Sequence, residues 1–212
     1  MSDKNIKYWN NFYSNSGAVL CPSQFAAHIL NEFSSTKKII DIGCGNGRDS
    51  LFFASHGLNV LGIDGSLSAI SNCQRIAQHM SLDNVNFQEL DFDNALSHNE
   101  FIKNIESEWT DALIYSRFFL HAIDENAEVN LLKFVSNLLS SNGYFCLEFR
   151  TIKDQYQQKE TPSHYRRYIN IQDFISLSIE MSFKVEYMIE GFGFAKYKSD
   201  DAHVARIVLK KI

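Results

Sequence analysis

The sequence predicts an α/β fold, a mostly parallel sheet with helices on both faces, and three features carry that expectation. From Lys38 onward, short runs of β-branched and apolar residues alternate with segments of helical spacing, the pattern of strands joined by crossover helices. The first run breaks into Gly43-Cys44-Gly45-Asn46-Gly47, a glycine-dense bend between strand and helix where backbone must turn sharply and leave room for a neighbour. Past Arg150 the rhythm changes, and the last two strand-like runs are separated only by a glycine-rich turn from Gly191 to Gly193. That makes them antiparallel, since parallel partners need a long crossover.

Ahead of the sheet, Ile6–Tyr13 and Ser23–Phe33 have helical spacing and are expected to pack as two helices over its open edge. Strands are expected near Lys38–Ile42, Asn59–Ile63, Val85–Leu90, Asp111–Ser116 and Gly143–Arg150, where apolar residues cluster between turn formers. Helices are expected near Asp49–Ser55, Leu67–Met80, Ala95–Glu106 and Glu125–Ser140. Ser66 and Asp124 stand just before two of them, placed to accept from the open amides of a first turn. Asn142-Gly143 stops the fourth helix and turns the chain into the fifth strand. The polar stretch Lys153 to Tyr168 is too long for an ordinary connection, which predicts a lid or binding segment. A helix near Ile171–Met181 and strands near Phe183–Glu190 and Ala202–Lys210 complete the series.

With 212 residues, 45% hydrophobic and 21% charged, the chain has material for one well-filled core. One domain over 1–212 is expected, made of a helical cap (1–36), a first half of the sheet (37–150) and a closing segment (151–212). A net charge of -5 gives no general field for collecting polyanions, so nucleic acid is a disfavoured partner. Met1 to Tyr13 lacks a basic segment followed by an apolar one, and no run of about twenty apolar residues occurs. Neither a secretory signal nor a membrane span is expected, and the cytoplasm is the expected location. Cys21, Cys44, Cys73 and Cys146 lie far apart without a C-x-x-C pair, which suits free thiols better than disulfides or a zinc site.

The most informative string is Asp41-Ile42-Gly43-Cys44-Gly45-Asn46-Gly47-Arg48-Asp49-Ser50. A dinucleotide fingerprint would carry its third glycine at position 48, where this chain has arginine, so cradling a pyrophosphate is not the natural reading. At the tip of the second strand Asp64-Gly65 places a carboxylate where two ribose hydroxyls can donate to it. DIGCGNGRDS resembles motif I of the class I S-adenosylmethionine-dependent methyltransferases. The resemblance covers roughly Lys38 to Arg150 and implies a Rossmann-like, seven-stranded sheet, mostly parallel with an antiparallel last strand. It also implies S-adenosylmethionine as cofactor, with Asp41, Gly43, Cys44, Gly45, Gly47 and Arg48 around its amino-acid part and ribose. By the same resemblance Asp91 accepts from the adenine amino group and Phe92 flanks the ring, while Ser116 and Arg117 close the fourth-strand motif leading to the catalytic face.

Methyl transfer is an in-line displacement, so the chief task is to hold two reactants collinear. An alcohol acceptor gains from a general base, whereas an anionic oxygen needs only orientation. Beyond the strand carboxyl ends, where open α/β sheets bind ligands, the chain offers Arg117, His121, Glu148 and Arg150 as catalytic candidates. His164, Tyr165, Arg166 and Arg167, in the polar stretch, and Lys196, in the last turn, are candidates for acceptor binding. So many arginines in an acidic chain point to an anionic acceptor, and His121 is the candidate base. Each also has a plainer reading: Arg166 and Arg167 as a solvated face, His121 as a satisfied helix-entry histidine, Glu148 as an ordinary strand residue. No metal is expected, for Ser116-Arg117 stands where a ligand carboxylate would be and no H-x-H or H-E-x-x-H pattern occurs.

The strings His164-Tyr165-Arg166-Arg167-Tyr168-Ile169 and Gly191 to Lys198 are similar to bacterial methyltransferases of capsule and surface-glycan loci. That likeness implies O-methylation of a small-molecule acceptor, a sugar or phosphorylated sugar building block. Two alternatives stay open: an N- or S-methyltransferase of a small metabolite or metalloid, and a non-catalytic S-adenosylmethionine-binding module. Monomer and dimer are both compatible with the sequence.

Overall fold

The computed structural model describes residues 3–14, 21–157, 159–160 and 164–212. Residues 158 and 161–163 of the expected polar binding segment lie outside them, as do Met1 and Ser2. Among the described residues are seven α-helices: α1 Asp3–Ser14, α2 Gln24–Glu32, α3 Arg48–Ser55, α4 Leu67–His79, α5 Ala95–Trp109, α6 Glu125–Leu138 and α7 Ile171–Glu180. The strands are β1 Lys38–Ile42, β2 Asn59–Asp64, β3 Val85–Glu89, β4 Leu113–Arg117, β5 Tyr144–Arg150, β6 Phe183–Gly191, β7 Lys196–Tyr197, β8 Asp200–Asp201 and β9 Val204–Lys211.

One seven-stranded sheet runs in the order β3-β2-β1-β4-β5-β9-β6. Pairs from β3 through to β5 are parallel, and β9 runs antiparallel to both its neighbours. This is the mostly parallel, Rossmann-like sheet with an antiparallel last strand that the sequence predicts. β7 and β8, two residues each, form a separate antiparallel hairpin between β6 and β9 in chain order, where the sequence predicts only a turn. The order reverses between β1 and β4, the switch point at which such sheets open a crevice beyond their strand carboxyl ends.

β1 shows why these residues make an interior strand. Alternate side chains of a strand face opposite ways, and both faces of β1 are covered: Ile40 and Ile42 pack toward α5 and α6, Ile39 toward α2 and α3. Ser66 and Asp124 cap α4 and α6 as expected, accepting from Ala69 N and Ala127 N. The expected position of the first two helices needs correction. Phe25, Ala26 and Ile29 of α2 lie on the sheet face against Ile39, Tyr115 and Val208, not over an open edge. Ser23 fixes that docking, since its backbone N and Oγ both donate to Asp49 at the start of α3, each at 2.8 Å. α1 packs on α4 and crosses the strand tips, with Asn5 Nδ2 donating to Ala122 O and Asn10 Oδ1 accepting from Ser66 Oγ. Among the described residues no helix is long and apolar enough to cross a membrane.

Candidate active site

At the switch point the β1–α3 loop folds back on itself. Gly43, Gly45 and Gly47 have φ of +75°, +55° and +73°, a region costly for residues with a Cβ. Space forbids a side chain too: a Cβ on Gly43 would lie 2.4 Å from Phe119, and one on Gly45 would lie 2.4 Å from Tyr13 Oη. The loop is tied to β2, whose Ile63 O accepts from the amides of Gly43 and Cys44. Asp64 accepts from Gly45 N at 2.9 Å and from Ser66 N at 2.8 Å. Burial raises its carboxyl to about 6, against those two hydrogen bonds, which favour the ion. Burial likewise raises Asp41, which accepts from Ser50 Oγ at 2.6 Å, to about 7.

Above the loop opens a cavity of about 590 Å³, a size that suits small ligands and cofactors. Asp41, Gly43, Cys44, Gly45, Arg48 and Asp64 form its floor, while Trp9, Phe12 and Tyr13 of α1 face them. The cavity residues fit S-adenosylmethionine: a side-chain-free backbone bend, a carboxylate one strand over for its ribose, and a buried donor, Trp9 Nε1, that has no partner among the described residues.

The decisive comparison is with the methyltransferase domain family, whose sequence profile matches residues 33–190. The chain is a class I S-adenosylmethionine-dependent methyltransferase. Its fold is similar to that of a SAM-dependent methyltransferase from Anabaena variabilis, at 25% identity over 97% of this chain and 93% of that one, with a TM-score of 0.73. It is similar also to a TehB-like SAM-dependent methyltransferase from Corynebacterium glutamicum, at 17% identity over 100% and 98% of the two chains, TM-score 0.64. A third likeness is to a glycopeptide N-methyltransferase crystallised with S-adenosylhomocysteine, at 12% identity over 94% and 91%, TM-score 0.69. No curated protein matches the chain.

The methyltransferase brings only part of the expected constellation to its cavity. Arg117, His121, Arg150, His164, Arg166 and Lys196 also line it. Gly47, Gly65, Asp91, Phe92, Ser116, Glu148, Tyr165 and Arg167 are not among the lining residues. Gly47 caps α3 from below the loop, and Gly65 runs past Leu90 O. Ser116 Oγ donates to Ile42 O at 2.8 Å, tying β4 to the end of β1. Asp91 Oδ1 accepts from Asp93 N. Phe92 corrects the sequence reading: 2% exposed, it packs edge-on against Phe119 and Phe134 in the core, without a ring face turned to a ligand.

Four further expectations change, three of them because buried charge finds countercharge. Glu148, 1% exposed, accepts from Arg117 Nε and from Arg206 Nε, both at 2.7 Å, so it holds other residues and cannot itself meet an acceptor. Arg150 donates to Asp154 and Asp200, each at 2.6 Å, and is neutralised rather than offered to an anion. Arg167 pairs with Glu128 and donates through Nε to Ile123 O, which pins its segment to the start of α6. His121 Nδ1 accepts from Arg150 N at 3.3 Å, so the ring proton sits on Nε2. Burial, then the cations Arg150, Arg166 and Arg117 and the neighbouring His164, hold it well below the usual histidine range. His121 is therefore a neutral donor, not the base the sequence suggested. Tyr165, 47% exposed, stands outside the cavity, and Lys196 is exposed on β7 at its rim.

Several cavity residues escaped the sequence reading. Tyr13 places its phenol over Gly45, and burial followed by the nearby Asp64 raises its pKa well above the ordinary range. Trp9 stacks on Tyr13 and meets His164 edge-on, and the dense aromatic string Tyr8-Trp9-Asn10-Asn11-Phe12-Tyr13 was the available signal. Phe118 has φ +58°, a strained conformation for an aromatic residue of the kind that gathers at functional sites. Its ring lies under the Arg117 guanidinium at 4.2 Å. Among the described residues no cluster of three or more His, Cys, Asp or Glu side chains is arranged to hold a metal.

Proposed function

We propose that this methyltransferase acts on an oxygen of a small acceptor carrying an anionic group, with Arg117 as the anchor of that group. One observation carries the reading. Arg117 uses only Nε to bind Glu148, and its two terminal nitrogens have no hydrogen-bond partner among the described residues although the side chain lines the cavity. A planar guanidinium held from behind and open in front is suited to a planar or tetrahedral oxyanion. S-adenosylmethionine supplies, when bound, an electrophilic methyl group on its sulfonium. The chain's own part is orientation: the glycine loop and Asp64 would hold the donor, α1 would screen it from water, and Arg117 would set the acceptor against it. A phosphorylated sugar, with its phosphate on Arg117 and a sugar face on Phe118 or Phe194, falls within this reading.

All four cysteines are free thiols, which supports action in a reducing compartment such as the cytoplasm. The test is steady-state kinetics of labelled-methyl transfer with native protein and Arg117→Ala over a panel of anionic and neutral acceptors. A higher acceptor KM in the variant, with donor affinity intact, supports the reading; identical kinetics would contradict it.

A further inference from the structure

Every carboxylate and imidazole lining the cavity already accepts a hydrogen bond. Asp41 takes Ser50 Oγ, Asp64 takes two loop amides, and Asp49 takes Ser23 N, Ser23 Oγ and Tyr115 Oη. Asp200 is closed by both terminal nitrogens of Arg150. The two histidines are closed as well. The lone pair of His121 faces the Arg150 amide. His164 Nε2 lies 3.3 Å from Arg166 Nη2, and because a guanidinium only donates, that nitrogen must accept. The proton of a neutral His164 is then on Nδ1, facing Tyr8 Oη at 3.3 Å.

The cavity thus offers donors. Arg117 has two open nitrogens, and His121 has a protonated Nε2 with no partner among the described residues; both side chains line the cavity. Hydroxyl and ammonium acceptors must give up a proton as they are methylated, and among the described residues neither cavity histidine has its lone pair open to take it. A carboxylate has no proton to lose. Each of its oxygens has two lone pairs, so one pair can accept from Arg117 while another attacks.

Resting on the anionic-acceptor reading above, we propose that the methylated atom is a carboxylate oxygen, on an acceptor whose body is apolar enough to lie among Trp9, Phe118, Phe119 and Phe194. In that step the oxygen lone pair forms the O–CH3 bond as the S–CH3 bond breaks, its electron pair staying on sulfur. A methyl ester and a neutral thioether result, and no proton is released. A single guanidinium fork with one uncharged donor, His121 Nε2, matches a planar monoanion.

The test has a spectroscopic arm and a ligand arm. Nitrogen-15 spectra of histidine-labelled protein loaded with S-adenosylhomocysteine are expected to show His121 neutral with its proton on Nε2; a proton on Nδ1 instead restores a base and overturns the proposal. In calorimetry on the same complex, phenylacetate, benzoate and glucuronate are the carboxylate probes, with 2-phenylethanol and glucose 6-phosphate as controls. At least one carboxylate is expected to bind tenfold or more tightly than 2-phenylethanol and to lose that advantage in Arg117→Ala. Methyl label transferred to it should be released as methanol by alkali. Binding and alkali-stable labelling of glucose 6-phosphate alone would overturn the carboxylate proposal and leave the anionic anchor standing. Binding of neither carboxylates nor glucose 6-phosphate would overturn both.

Discussion

Glu148 and Arg117 stand side by side at the ends of β5 and β4, with Oε1 2.7 Å from Nε. The second oxygen of Glu148 is 2.7 Å from Arg206 Nε on β9, so one buried carboxylate sets the direction of the cavity-lining guanidinium that we propose anchors the acceptor. It also joins three neighbouring strands. Positioning and stability therefore meet in a single side chain.

Glu148→Ala leaves two guanidinium groups without their shared partner in a largely buried setting. Removing one member of such a buried pair costs about 3–5 kcal/mol, and urea unfolding is expected to show a loss of that order, together with a raised acceptor KM. A variant with the native unfolding midpoint would show that the pairing is unimportant.

Arg150→Ala should behave differently from Arg117→Ala despite their similar places at strand ends. Its guanidinium neutralises Asp154 and Asp200, so the expected effect is on stability, again about 3–5 kcal/mol. Arg117→Ala is expected to raise the acceptor KM and to cost less stability than Arg150→Ala, because Glu148 keeps Arg206 as a partner. Thermal melts and kinetics on the two variants separate the roles, and the reverse pattern would refute the assignment.

Asp64→Ala removes the carboxylate one strand over from the glycine bend. Donor affinity should fall by about 1–3 kcal/mol, the worth of a charge-assisted hydrogen bond, readable by calorimetric titration of S-adenosylhomocysteine. Because Asp64 is raised to about 6, donor affinity of the native protein should weaken as pH falls through that value and the carboxylate becomes protonated.

Asp41 gives the stability of the protein a dependence on pH. Burial pushes its folded pKa up to about 7, above the ordinary carboxylate range, so its contribution is fully present below about pH 4 and is lost as pH rises through about 7. The cofactor-free protein should lose this contribution between those limits, and Asp41→Asn should flatten that slope. Chemical unfolding at a series of pH values checks the difference; superposable profiles would rule the carboxyl out.

Gly45→Ala places a methyl where Tyr13 Oη sits and strains a backbone at φ +55°. The substitution should cost about 1–3 kcal/mol and push α1 off the loop. Increased exchange of the α1 amides would accompany it, and normal protection there would argue against the contact.

The sheet was legible because its strands are buried on both faces and announce themselves as short apolar runs, and because only a tight glycine bend connects β1 to α3. Which face α2 covers was not legible, since an amphipathic helix declares that it hides a stripe but not against what. For the site, the cavity-lining Asp64, Gly43 and Gly45 are legible from their strand-end positions together with the motif they resemble. Arg150, Arg167 and Glu148 are not, because the charges that neutralise them, Asp200, Glu128 and Arg206, lie 50, 39 and 58 residues away in the chain. The aromatic wall of α1 was visible as composition, yet nothing in its spacing said that it would fold across the strand tips.

β9 follows every other described element in chain order but fills the slot between β5 and β6. On a ribosome those two edges would wait, unpaired and sticky, until residues 204–211 emerged. Only then would Arg206 reach Glu148, so a half-made chain would hold the donor loop complete and the acceptor side unfinished. Synthesis itself would delay the moment at which the enzyme can engage its second substrate.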